Sequence, residues 1–485
     1  MFIVAIIISQ LCAFFYHSTF NLNPTEITAV VAPWFAAAAL LVSIFCLNWS
    51  YAFLGFAICF FPFFGQSCLS LSICFWCLGR AILLQRNFPT LREVLQNRIV
   101  LCYLLLSLLA LQGIVRALVI NIDVEILRVQ YEHLSFKDFI YFYISQTRKW
   151  AEPVGQFVTY LNSLLLLVIV SASSFEKERK KFFFVGVFGG LTLAAIITVL
   201  QILNIYPFPV YNTSAFWTLS KRLSGTFTDP NAFGLMGALI LPYLYEHIKS
   251  NHLKNEKLIL NLILALISIC FLWSGSRTFF LGILIWVILS LICDRRKLIN
   301  LFYFSILSIL LLLSLNTEFA RTKISTLNIP AISRVSSTLN LESAKEMFYS
   351  RNIYSRIAIQ VWRQSPVLGV GTGNFYNLQE KAATELQIDL HGWKDNANNF
   401  YLQILSEQGL IGLCIVIGIF AGLIFFNYQS SQNLIDGHSS FGLRFVILFI
   451  LLLFTGPHLF FEELKYLLAI VLGVSAQYFY QEVEN

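Results

Sequence analysis

Apolar runs separated by short polar stretches recur along almost the whole chain. Runs of about 17 to 25 residues are long enough to cross a hydrocarbon core of about 30 Å as helices. We therefore predict about 12 to 14 transmembrane helices. The stretch 51–84 is interrupted by Pro62 and Gly65, and it is compatible with one kinked span or with two short ones. The first run, 2–15, lacks a basic flank and a cleavage signal, so we expect a retained span and not a signal peptide.

The composition agrees with this pattern. Apolar residues make up 57% of the 485 residues and charged residues only 12%, and the mean hydropathy is +0.72. These values predict an all-α polytopic integral membrane protein. The ten cysteines lie almost entirely inside apolar runs, which gives no sign of a disulfide framework. Because the basic residues are spread over separate loops and form no single stripe, we expect the lipid bilayer and no nucleic acid as a partner.

The placement of the basic residues predicts the topology. Four loops around 80–98, 176–181, 249–257 and 294–297 hold 14 of the 33 Lys and Arg residues, and all four fall on one side. The positive-inside rule makes that side cytoplasmic. Three polar segments, 121–153, 205–230 and 317–394, then share the outer face. We expect an N-terminal transmembrane bundle over 1–316, a partly helical outer loop domain over 317–398, and C-terminal transmembrane helices over 399–485.

The long outer loop contains an amphipathic helical pattern. In "RNIYSRIAIQVWRQSP", the residues Ile357 and Val361 share an apolar face opposite Arg356 and Arg363, and Pro366 ends the pattern. A loop of this length is too long to be a simple connection. We expect the helix to lie in the outer headgroup layer, where Arg356 would be close to a lipid-linked substrate.

Two arginines of the outer face are candidates for anion binding. An arginine inside a membrane helix costs about 2.5 to 3.5 kcal/mol at mid-membrane and less near the interface. Arg277, which begins an apolar span, therefore either snorkels or faces an anion. Arg222 precedes a helix-start signal, Asp229, Pro230 and Asn231, and a helix N-terminus also favours anions. If these loops are adjacent, they form a positive pocket that suits a diphosphate.

The stretch "DNANNFYLQILSEQGLIG" places polar residues at the start of a later span. Asp395, Asn396, Asn398 and Asn399 can cap the helix and can also hydrogen-bond sugar hydroxyls. Glu407, about two turns further along, is an ionisable group at membrane depth. Such a group is either part of a functional site or the structural partner of an arginine.

The candidates for proton transfer and for phosphate binding are less distinct. His391, on the outer side, could accept a proton from a sugar hydroxyl, and Asp395 and Asp229 compete for that role. The glycine-rich "PVLGVGTGNF", 366–375, could wrap a phosphate or form a tight turn. The histidines show no metal-ligand spacing, so we predict neither a metal nor a cofactor.

Four pieces of the sequence, in order, resemble the O-antigen ligase and O-antigen polymerase family of bacterial envelope membrane proteins. They are "GTFTDPNAFG", "SGSRTFFLGIL", "YSRIAIQVWRQSPVLGVGTGNF" and "DNANNFYLQILSEQGLIGL", and they cover Gly225 to Leu413. The resemblance implies a metal-independent glycosyltransferase of the C superfamily type in the bacterial inner membrane. It would act at the periplasmic face on undecaprenyl-diphosphate-linked oligosaccharide, with Arg277 and Arg222 contacting the diphosphate.

The resemblance also bears on the acceptor. In ligases of the family a histidine precedes the asparagine that opens the "N-x-x-L-Q" helix, and here Asn398 stands in its place. An asparagine takes up no proton at neutral pH, so the polymerase reading, with a second lipid-linked glycan as acceptor, is favoured. The alternative is a ligase that uses lipid A-core or a protein. A flippase or other secondary transporter also has about a dozen spans, but typically with inverted repeats. An outer-face acyltransferase would need a catalytic pair such as His/Asp within a span.

Overall fold

The computed structural model describes residues 26–84, 97–120, 148–172, 177–203, 222–227, 229–251, 254–293, 341–390, 395–433 and 439–483, and within them it is helical and contains no strand. The helices of the first half are α1 Glu26–Phe45, α2 Leu47–Phe60, α3 Gln66–Leu83, α4 Arg98–Ile120, α5 Arg148–Ala172 and α6 Lys177–Ile202. Those of the second half are α7 Pro230–Asn251, α8 Lys254–Trp273, α9 Arg277–Cys293, α10 Leu341–Gln364, α11 Phe375–Glu385, α12 Phe400–Asn433, α13 Ser439–Leu452 and α14 Glu462–Val483.

The described helices confirm the all-α polytopic membrane fold. Five are long and apolar enough to cross a membrane, namely Leu47–Phe64, Arg98–Ala117, Pro153–Ala172, Arg179–Ile202 and Phe400–Phe425. Shorter apolar helices lie beside them, among them Arg277–Ser290 and Leu443–Thr455. The predicted spans at 2–15 and 298–316 fall outside the described residues, so the total of 12 to 14 stays a prediction.

The stretch 51–84 consists of two helices. A 3-10 turn, Phe61–Phe64, follows α2 directly, and Gly65 then turns the chain into α3 with φ +105°. A left-handed φ of this kind is open to glycine without strain. Of the two readings that the sequence left open, the structure supports the two short helices.

The transmembrane helices approach one another closely at small residues. A Cβ at Gly55 of α2 would collide with the backbone of Phe183 in α6, and a Cβ at Gly186 of α6 would collide with the backbone of Ala52 in α2. Without a hydrophobic driving force between helices in lipid, such close backbone contact is a main source of association. The two glycines therefore hold α2 against α6.

A second, smaller core lies between α10 and α11. Ile357, Ala358 and Val361 of α10 are buried together with Phe375 and Ala382 of α11. The predicted amphipathic helix exists, but its apolar face packs against protein and not against the headgroup layer. Because α11 supplies apolar side chains on the facing side, the face is already covered.

The loop after α10 is joined to α12 by backbone hydrogen bonds. The helix α12 is broken at Gly409, where φ is +68°, and the amide of Leu410 donates to Pro366 O at 2.9 Å. In return, the amides of Val370 and Gly371 donate to the carbonyls of Ser406, at 3.0 Å, and Glu407, at 2.7 Å. The loop thus satisfies the polar groups that the break in α12 exposes.

The bundle has two distinguishable ends. We call "site end" the end at which α7, α9, α12 and α14 begin, where α8 reaches α9 through the turn 274–276 and α13 reaches α14 through the short 3-10 helices Leu453–Thr455 and His458–Phe460. Thr226 donates to Cys59 O there, close to the end of α2. The first turns of α2 and α6 therefore lie at the opposite end.

We expect Gly409→Ala to lower the free energy of unfolding by about 2 to 3 kcal/mol or more. An added Cβ would collide with the carbonyl of Val367, at a φ that alanine disfavours. Thermal unfolding of the detergent-purified protein measures the effect. Gly418→Ala, in the same helix with no atom within 4 Å of the new Cβ, is the matched control and should unfold at or above the wild-type temperature. Equal melting temperatures of the two variants would contradict the close contact between Gly409 and the loop after α10.

Candidate functional site

Arg222 connects the segment that precedes α7 to the turn that precedes α9. Its Nε donates to the carbonyl of Ser274 at 2.7 Å, and its Nη2 donates to Asn231 Oδ1 at 2.8 Å. The backbone adds a hydrogen bond from Leu223 N to Trp273 O at 3.1 Å. Since Ser274 is three residues before Arg277, the structure brings the two predicted arginine segments together at the site end.

Two helix N-termini open beside these arginines. Asp229 is the N-cap of α7, because its Oδ1 accepts from the amide of Asn231 at 2.5 Å. Burial raises the pKa of Asp229, while its hydrogen bonds and nearby Arg222 oppose that shift. A Cβ at Gly234 would collide with Ser276, so the first turns of α7 and α9 are in contact. Both N-termini present positive dipole ends, which favour an anion.

A chain of hydroxyls leads from α9 to a buried histidine in the turn between the last two helices. Thr278 Oγ1 and Thr455 Oγ1 lie 3.1 Å apart, and Thr455 Oγ1 is 2.9 Å from His458 Nε2. The Thr455 hydroxyl donates to Leu452 O at 2.7 Å. His458 therefore donates through Nε2–H, and its Nδ1 is left as the acceptor of a neutral imidazole. Burial, with a contribution from Arg351, lowers the pKa of His458 far below its usual value.

Asp395 is exposed, and α11 fixes its position. Gln379 of α11 bonds the backbone carbonyl and amide of Asp395 through its side-chain amide. The carboxylate accepts from the amide of Asn396 at 2.8 Å and from Asn398 Nδ2 at 3.5 Å. Desolvation raises the pKa of Asp395, with its hydrogen bonds and Arg351 opposing. Arg351 of α10 thus acts on both Asp395 and His458.

The asparagines of the opening stretch have separate roles. Asn399 is the N-cap of α12, because its Oδ1 accepts from the amides of Tyr401 and Leu402 at 2.9 and 3.2 Å. Its Nδ2 donates to Phe454 O at 3.4 Å, which connects α12 to the turn that carries Thr455. Asn398, with φ +56°, turns towards Asp395. Capping therefore accounts for Asn399, whereas Asp395 and Asn398 remain half-buried or exposed beside each other.

Glu407 and the glycine-rich loop lie at the break in α12. Glu407 is fully buried, and its Oε1 accepts from Gln403 Nε2 at 2.8 Å. Its charge also acts on Tyr160 of α5. In the glycine-rich loop, the amides of Val370 and Gly371 donate to carbonyls of α12, and that of Gly369 donates to Ser365 O within the turn. These three amides are therefore occupied, and the structure supports the tight turn.

The remaining predicted residues lie elsewhere. Arg356 is on the exposed side of α10, and His391 falls outside the described residues. In the part of the chain that the structure describes, no group of three or more His, Cys, Asp or Glu side chains could hold a metal ion. The sequence analysis did not include Arg351 and His458 among the candidate site residues. The available signal for His458 was its place in a short polar turn, "TGPH", between the last two spans at the outer face.

Comparison with known proteins covers one part of this geometry, and Arg222, Asp229 and His458 lie outside the matched residues. Residues 262–417 match the family model described as O-antigen ligase, and no curated protein matches the chain. The matched range contains the turn before α9, Arg277, the helices α10 and α11, and the Asp395 segment up to the break in α12. Over these residues the chain is therefore similar to the O-antigen ligase family.

Proposed function

We propose that the protein is a periplasmic-face glycosyltransferase that extends or transfers oligosaccharide from an undecaprenyl-diphosphate-linked donor, with polymerisation as the favoured reaction. The single observation that carries the proposal is the hydrogen bond of Arg222 to Ser274 O. It draws one arginine to the turn from which Arg277 starts its helix, between two helix N-termini. A cluster of this kind favours an anion with several oxygens.

The diphosphate of the donor is the proposed ligand of this cluster. Arg222 is positioned by two protein acceptors, Ser274 O and Asn231 Oδ1, and needs little reorganisation when a substrate arrives. Negative charge develops on the diphosphate as the glycosidic bond to the anomeric carbon breaks. Fixed donors that face this charge lower the barrier, and removal of one such donor typically costs about 10² to 10³ in kcat.

Asp395 is the proposed general base. An acceptor hydroxyl attacks the anomeric carbon, its proton passes to the Asp395 carboxylate, and undecaprenyl diphosphate leaves with inversion. Asp395 is exposed, so a sugar can reach it, and its raised pKa makes it a stronger base than an ordinary aspartate. Burial, together with the charge of Arg351, lowers the pKa of His458, so protonating it is unfavourable. In this scheme, His458 holds the turn that carries Thr455 against Thr278.

The identity of the acceptor separates the two candidate reactions. A polymerase adds the glycan to a second lipid-linked oligosaccharide, whereas a ligase transfers it to lipid A-core or to a protein. The observation that favours the polymerase is Asn398. It occupies the position at which ligases of the family carry a histidine, and its amide donates to Asp395.

Arg277→Gln should lower the rate of glycan transfer by about 10² to 10³, because one of the donors to the diphosphate is lost. The measurement is single-turnover transfer by the purified protein with a lipid-linked donor, after folding is checked by thermal unfolding. Arg363→Gln is the matched control, because Arg363 is exposed on α10 and hydrogen-bonds only to Gln360 among the contacts described. A rate within about twofold of wild type for Arg277→Gln would remove it from the site.

The glycan of a deletion strain distinguishes polymerase from ligase. Loss of a polymerase should leave single repeat units on the final acceptor, and electrophoresis of the surface glycan should show one short band. Loss of a ligase should instead leave long polymer on the lipid carrier. Long polymer on the lipid carrier would overturn the polymerase assignment, but it would still agree with the proposed donor site.

The pH dependence of transfer tests the base. As the pH falls through the raised pKa of Asp395, its carboxylate is protonated and kcat/KM should fall. The midpoint of this acid limb should lie above 3.8, the ordinary pKa of an aspartate. Asp395→Asn should lower the rate by about 10² to 10⁴ and abolish this limb. If the limb persists in Asp395→Asn and disappears in His458→Gln, the base is His458.

A further inference from the structure

Two arginines meet at the end of the bundle opposite the candidate site. Arg80, near the end of α3, and Arg179, in the first turn of α6, both lie over the ring of Tyr51 in α2. The distances from the guanidinium carbons to the ring centroid are 5.7 Å for Arg80 and 5.9 Å for Arg179. The two positive charges therefore share one aromatic side chain.

The ring of Tyr51 is held firmly. It packs edge-on against Trp76, with ring centroids 5.6 Å apart, and Trp76 Nε1 donates to Ser50 O at 2.8 Å. Tyr51 and Trp76 are both fully buried. The ring thus provides a fixed platform at which the two guanidinium groups are brought together.

The charge of Arg80 is not balanced by the contacts that the structure describes. Arg80 is 3% exposed, and within the described part of the chain its Nε and Nη1 have no hydrogen-bond partner. The side chains that act on its charge there are Tyr51 and a second cation, Arg179. A cation–π contact contributes less than the burial of an uncompensated charge costs. The tyrosine ring alone therefore does not offset the burial of Arg80 beside a second arginine. An anion that accepts hydrogen bonds from the guanidinium group of Arg80 would offset this burial.

The surroundings favour a lipid as the source of that anion. Phe45, at the end of α1, is 76% exposed, and Trp49, in the first turn of α2, is 61% exposed. Exposed aromatic side chains at a helix end are typical of the membrane–water interface, where lipid headgroups lie. The arginines are thus at the depth of the headgroup phosphates, on the side that the positive-inside rule assigns to the cytoplasm.

We propose that Arg80 and Arg179 bind the phosphate of an anionic phospholipid headgroup, at a site distinct from the candidate active site. The phosphate oxygens accept from the free nitrogens of Arg80, and the second arginine adds charge attraction. The bound lipid stabilises the contact between α3 and the α2–α6 pair. The proposal does not depend on the catalytic function.

Thermal unfolding in detergent tests this site. The full-length protein is heated with phosphatidylglycerol, with phosphatidylcholine, or with inorganic phosphate at the same concentration. The wild type should melt higher with phosphatidylglycerol only, because a ligand that binds the folded state raises the melting temperature. Arg80→Met keeps the length of the side chain and removes the charge. It should lose at least half of the shift, and Arg179→Met, the second variant, should lose part of it.

Arg444→Met is the matched control. Arg444 is also buried at this end of the bundle, but it has protein partners, Ser290 Oγ at 2.9 Å and the Trp286 ring at 4.9 Å. This variant should keep the full shift with phosphatidylglycerol. An equal shift in Arg80→Met and wild type, or an equal shift with phosphatidylcholine, would overturn the site. An equal shift with inorganic phosphate would overturn the lipid as its ligand.

Discussion

The break in α12 at Gly409 is the constraint on which the arrangement of the site depends. A helix interrupted at membrane depth exposes backbone groups that lipid cannot satisfy. Here the loop 366–371 satisfies them through four backbone hydrogen bonds, two in each direction between loop and helix. The same bonds fasten the segment that follows α10 to the transmembrane bundle. The loop reaches α4 as well, because Asn374 Nδ2 donates to Gly113 O at 2.9 Å.

This attachment determines where the first segment of α12 lies. Asn399, which caps that segment, reaches Phe454 O in the turn before α14. The turn carries Thr455, which contacts Thr278 one residue after Arg277. Asp395, a few residues before the cap, is held by Gln379 of the outer domain. Hydrogen bonds therefore connect α11, the turn before α14 and the turn before α9 at one end of the bundle, although these segments are far apart in sequence.

Much of the fold could be predicted because membrane helices follow from local composition. Apolar length gave the spans, and the cap residues Asp229 and Asn399 were readable from their side-chain chemistry. Long-range partners were not readable. The glycines at 369, 371 and 373 showed that the backbone turns, but not that α12 would be its partner. Likewise, the spacing of Ile357 and Val361 showed an apolar face but not whether lipid or α11 would cover it.

The same limit explains why Arg351 and His458 were missed. Arg351 stands in a helix with several basic residues, and sequence alone does not show which of them is buried. The structure leaves Arg351 half-buried, where its charge acts on Asp395, and leaves Arg356 exposed. A histidine in a short turn has no spacing that marks it. Burial raises the pKa of Asp395 and lowers that of His458, and the charge of Arg351 opposes the first shift and adds to the second. One basic side chain of α10 therefore favours the ionised form of Asp395 and the neutral form of His458.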